Sequence, residues 1–70
     1  MKANTLGQRL RTARERNGWS QAQVAAWTGI DPSQLSHYEA DRREPTVQNV
    51  RRLCEGLRVK SDWLLDVATL

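Results

Sequence analysis

The sequence predicts an all-α domain of five short helices wrapped around one small core. Three observations carry that reading. Capping boxes open two segments, Thr5-Leu6-Gly7-Gln8 and Ser20-Gln21-Ala22-Gln23. In each, a hydroxyl and a side chain three residues later satisfy backbone donors left free at a helix start. Apolar residues recur at three- and four-residue intervals rather than alternating, and no hairpin turn pair occurs. Gly18 and Gly29 stand where a helix can leave through a left-handed residue at little cost.

The first helix is expected over about Thr5 to Asn17, with Leu6, Leu10 and Ala13 at helical spacing and Gly18 as its stop. The second opens at Ser20, turns Val24 and Ala25 inward and closes at Thr28-Gly29 after two turns. Trp27, three residues past Val24, should edge the core. The third begins at Asp31-Pro32, where the aspartate caps and the missing proline N–H is harmless, and it should fray near Ala40-Asp41. Arg42-Arg43-Glu44-Pro45 reads as a charged loop. Thr46 caps a fourth helix whose stripe is Val47, Val50, Leu53, Cys54 and Leu57, with Gly56 weakening its last turn. A fifth helix covers about Ser61 to Asp66, anchored by Trp63 and Leu64, and Trp19 reads as core.

Seventy residues suit one domain over 1–70, with a core at about 5–66. Eleven Lys and Arg, mostly Arg, against eight Asp and Glu give a net charge of +3, and the pI is about 9.8. That balance suits a polyanionic partner without identifying one. The single cysteine, Cys54, excludes an intrachain disulfide, and no Cys/His cluster could hold zinc. The opening MKANTLGQRL has no secretory apolar run, and no stretch has the length of a membrane span. A cytoplasmic protein is expected, with no metal or cofactor. Enzyme chemistry finds no support: with Cys54 in the core, the one Cys and the one His, His37, could not both face one cleft, and no phosphate-cradling glycine loop occurs.

Two short helices pivoting on Gly29 form a helix-turn-helix, Ser20–Thr28 followed by Asp31–Ala40. At about 100° per residue, Leu35, Tyr38 and Glu39 share one arc of the second of these. Ser33, His37 and Ala40 share the opposite arc, flanked by Gln34, Ser36 and Asp41. That outward face is small and polar, as a helix entering the major groove must be.

The run Gly18-Trp19-Ser20-Gln21-Ala22-Gln23-Val24-Ala25 resembles the opening of the phage Cro and repressor-type helix-turn-helix family, also called the xenobiotic-response-element family. Gly29-Ile30 with Leu35, Tyr38 and Glu39, then Pro45-Thr46, Val50/Leu53/Leu57 and Val59 to Leu65, continue the resemblance over about residues 6–66. Two positions depart from it. Asp41 and Arg58 stand where the family usually has glycine, and arginine tolerates a left-handed backbone less well than aspartate, so the turn before the fifth helix should differ.

The resemblance implies a lambda-repressor-like fold, sequence-specific binding of double-stranded DNA and transcriptional control, as a repressor of phage, prophage or toxin–antitoxin type. It places base contacts at Pro32, Ser33, Gln34 and His37, with His37 foremost, and a phosphate contact at Gln21. Arg42 and Arg43, beside the reading helix, suit further phosphate contacts. The resemblance also pairs Arg14 with Glu39. One reading helix spans too few base pairs for a selective site, so a homodimer on a palindromic operator is expected, and the resemblance puts its contact toward the C-terminal part, among Leu57, Arg58, Val59, Lys60 and Trp63. Plainer readings stand beside these: a solvent-facing histidine, a solvated arginine loop, a surface ion pair. The alternative function is a protein-interaction module such as an antitoxin, and Trp27 is its best support, since aromatic anchors dominate interfaces.

Overall fold

The structure, a computed structural model, describes residues 5–65. Within them lie five α-helices and no strand: α1 (Leu6–Arg16), α2 (Gln21–Thr28), α3 (Pro32–Glu39), α4 (Val47–Leu57) and α5 (Ser61–Leu65). Asp66, expected at the end of α5, lies outside the described residues.

Each boundary has a local cause. Thr5 and Ser20 form full capping boxes with Gln8 and Gln23. The Asp31 carboxylate accepts the Ser33 backbone N–H, and Pro32 takes the first turn. Thr46 accepts the Asn49 N–H. Gly18 and Gly29, at φ +71° and +75°, end the first two helices. Arg58 ends α4 in the same left-handed region, at φ 58°, and Val59 N–H returns to the Cys54 carbonyl at 3.1 Å. The turn before α5 therefore keeps the geometry that glycine would give, contrary to the expectation of a different turn.

α1 packs against α3 and α5, α2 against α3 and α4, and α4 against α5. The core between them holds Leu10, Val24, Leu35, Leu53, Leu57 and Leu64 as its largest fully enclosed side chains. Two inward assignments, Val47 and Trp63, are corrected. Val47 is exposed, because it sits one turn ahead of Val50, the first α4 side chain to enter the core. Trp63 is 37% exposed, and it is the neighbouring Leu64 that is enclosed in the core. Trp27 is 53% exposed and meets Trp19 edge-on, with ring centroids 4.7 Å apart, while Trp19 itself packs on the core. Cys54 is only partly buried, yet that burial pushes its thiol above the ordinary value, aided by the Glu55 charge.

Candidate nucleic-acid interface

The exposed face of α3 follows from its amphipathic spacing. Leu35 and Tyr38 are buried, which leaves Pro32, Ser33, Ser36 and Ala40 exposed on the outward side. Gln34 and His37 are half-buried at the edges of the same face. The N-terminus of α3 is tightly organised. Asp31 accepts both the backbone N–H and the hydroxyl of Ser33, and the second of these bonds is very short. These bonds hold the Asp31 carboxyl below its ordinary range, the Ser33 hydroxyl acting most strongly. The Tyr38 hydroxyl accepts from Asn49 Nδ2 at 2.8 Å, tying α3 to α4.

Glu39 fastens α3 to two other helices. Arg14 Nε and Nη2 donate to its two carboxylate oxygens at 2.7 and 3.0 Å, a bidentate pair with side chains 12% and 5% exposed. Arg14 Nη1 also donates to the Trp19 carbonyl at 2.8 Å. Donating to the Glu39 carboxylate raises the Arg14 pKa further, against the effect of burial. Gln21 Nε2, at the start of α2, donates to Glu39 Oε1 at 3.1 Å. The start of α2 and the outward face of α3 thus share one wall of a cleft of about 290 Å³, lined by Arg11, Arg14, Gln21, Ser36, Glu39 and Ala40.

Arg11 was not among the residues picked from the sequence. It stands three residues before Arg14, hence on the same face of α1, and it pairs with Glu15 at 2.9 Å. Helical spacing from Arg14 was the signal that could have found it. Arg42 and Arg43 are exposed in the loop that leaves α3. Among the described residues, no group of three or more His, Cys, Asp or Glu is placed to hold a metal. Nor, among the described residues, is any helix long and apolar enough to cross a membrane.

The residues expected at a dimer contact divide. Arg58 and Lys60 are exposed, Val59 is half-buried, and the Trp63 ring lies 5.7 Å beneath the Arg16 guanidinium. Leu57 does not belong with them. It is 2% exposed because the α4 stripe turns it into the core, and it is withdrawn from the contact.

A family model described as a helix-turn-helix domain matches residues 5–67. The chain belongs to that helix-turn-helix family. Among curated relatives, the HTH-type transcriptional regulator ImmR of Bacillus subtilis is 36% identical over 61 residues, covering 87% of this chain and 48% of ImmR. The chain spans about half the length of the curated relatives it matches. Among solved helix-turn-helix structures, the P22 c2 repressor in complex with a synthetic operator superposes with a TM-score of 0.86 at 27% identity, covering 90% of this chain and 96% of that one. The restriction-modification controller protein C.AhdI of Aeromonas hydrophila gives 0.82 at 32% identity, covering 86% and 91%.

Proposed function

We propose that this chain binds double-stranded DNA sequence-specifically and acts in transcriptional regulation, as a repressor of phage, prophage or toxin–antitoxin type. The observation that carries this reading is the lock of Glu39 on Arg14 and Gln21, which presents the polar face of α3 and the start of α2 on one side of the molecule. α3 enters the major groove. His37, Ser33 and Gln34 reach base edges, and exposed Pro32 offers an apolar contact. Gln21, with the N-terminus of α2 behind it, and Arg42 and Arg43 contact phosphates, which set register and affinity rather than sequence. The likeness to an operator-bound repressor supports this assignment. Two copies occupy a palindromic operator, meeting through Arg58, Val59, Lys60 and Trp63. No catalytic residue and no cofactor enter this reading, and a cytoplasmic site of action goes with it.

Selection of duplexes from a random pool, followed by band-shift titration of the selected duplex and a scrambled one, tests the proposal. A selected consensus bound well above the scrambled duplex is expected, and no enrichment over random sequence sinks it. A second reading, a protein-binding module, is favoured by one observation, the exposed Trp27. Under the first reading Trp27→Ala leaves DNA affinity unchanged.

A further inference from the structure

We propose that Asp41 is a positioning residue for DNA reading: its carboxylate fastens the end of α3, and the Arg42–Arg43 loop behind it, to the start of α1. The inference rests on the DNA-binding reading above.

α3 ends in two returning bonds, Asp41 N–H to the Tyr38 carbonyl at 3.1 Å and Arg42 N–H to the His37 carbonyl at 2.9 Å. Between them Asp41 is left-handed, at φ 59°. Glycine makes that exit with least strain, so the backbone gives no reason for an aspartate here. The side chain does. Asp41 Oδ1 accepts the Gly7 N–H at 3.0 Å, and Oδ2 accepts the Thr5 hydroxyl at 2.6 Å. Gly7 N–H is one of the donors that an α-helix start leaves without an internal partner, and a carboxylate there also meets the positive end of the helix. Thr5 Oγ1 in turn accepts the Gln8 N–H at 3.1 Å, which orients its hydroxyl toward Asp41.

Gly7 is the other half of the clasp. A Cβ at this position would lie 2.5 Å from the Tyr38 carbonyl oxygen, and 2.7 Å from both the Glu39 carbonyl oxygen and Asp41 Oδ1. The last carbonyls of α3 therefore rest directly on the first turn of α1. Buried Leu35 and Tyr38 hold the body of α3, and Glu39 holds its flank. Asp41 holds its exit, immediately before two exposed arginines whose contacts depend on where that exit points. Ordering this loop in the free protein removes that cost from the binding step.

The test uses the full chain with Asp41→Gly and Asp41→Asn. Glycine keeps the left-handed exit and removes both side-chain bonds, and asparagine keeps the shape without the charge. The readouts are hydrogen exchange at the Gly7 amide, thermal midpoint, and affinity for the selected duplex at 25 °C across a salt series. Asp41→Gly should speed Gly7 exchange and weaken selected-duplex binding about tenfold, the size of effect that 1.4 kcal/mol produces. Its slope of log K against log salt should shallow by about 0.9, one phosphate contact. Asp41→Asn should fall between it and the parent, and it decides the matter if the glycine variant does not fold. A lowered midpoint with unchanged affinity and salt slope would show an ordinary stabilising cap and overturn the proposal. A parent that binds no duplex defeats the DNA-binding reading instead, and the positioning role with it; the exchange result then reports only whether the clasp exists.

Discussion

Glu39 receives hydrogen bonds from α1 and α2 while belonging to α3, so its removal is felt in three helices at once. Glu39→Ala leaves Arg14, a largely enclosed cation, without its bidentate partner and with only the exposed Glu15 carboxylate at 3.9 Å. The expected loss is about 3–5 kcal/mol, the usual penalty for orphaning one member of a buried pair. Chemical denaturation of the variant beside the parent measures it, and overlapping curves would mean that the pair behaves as a surface contact. His37 and Arg43 call for a different assay, because the proposed function divides reading from positioning between them. His37→Ala should lose about 1–3 kcal/mol of discrimination at one or two base pairs of the selected duplex. Arg43→Ala should weaken selected and scrambled duplexes alike, since phosphates carry no sequence. The reverse pattern would exchange the two assignments. At this scale the sequence was legible where the partners follow a motif, as Arg14 and Glu39 do. It was silent where the contact joins residues 34 to 36 positions apart with no periodic signal, as between Asp41 and the start of α1.

The helices themselves were legible nearly to the residue, because their ends are written in side chains: hydroxyl caps, an Asp-Pro start, glycine exits. What each helix presses against was less so. Gly56 looks in the sequence like a weak point of α4, whereas in the structure it admits α2, since a Cβ there would stand 2.7 Å from Thr28 Cγ2. That methyl cannot swing aside freely, because Thr28 is buried and its hydroxyl donates to the Val24 carbonyl at 2.7 Å. Gly56→Ala gains about 1 kcal/mol of helix propensity, yet overpacking of this kind costs about 1–3 kcal/mol. A lowered thermal midpoint is expected, and a raised one would show that the α2–α4 contact yields easily. The start of α3 also makes stability depend on pH. The Asp31 carboxyl is held below its ordinary value of 3.8, so its contribution is present above that value and is lost as the pH falls through the lower folded one. Asp31→Asn still caps but does not titrate there. Its midpoint should fall less than the parent's on acidification, and parallel acid profiles for the two would show that Asp31 contributes nothing to acid sensitivity.

The whole molecule is small against the site it is proposed to read. Its extents are 32 × 22 × 21 Å, and one reading helix spans too few base pairs for a selective site alone. In the proposed dimer, two-fold pairing on half-sites about 34 Å apart, one turn of DNA, supplies the missing length. At that spacing two bodies of this size can meet only along a narrow rim. Of the residues proposed for that rim, Arg58 and Lys60 bring like charges and Val59 and Trp63 an apolar part, while Leu57 is withheld in the core. A rim so thin and so charged should not hold the free chains together at micromolar concentration. DNA changes the balance, because each bound copy holds the other's partner surface at a high effective concentration. The expected behaviour is therefore a monomer in sedimentation of the free protein and a complex of two chains per selected duplex, formed cooperatively. Insertion of five base pairs between the half-sites turns the second copy to the opposite side of the helix, since B-DNA repeats about every 10 base pairs. That insertion should abolish the cooperativity while leaving single-copy affinity intact. A free dimer that survives dilution, or cooperativity indifferent to the insertion, would place the contact elsewhere on the molecule.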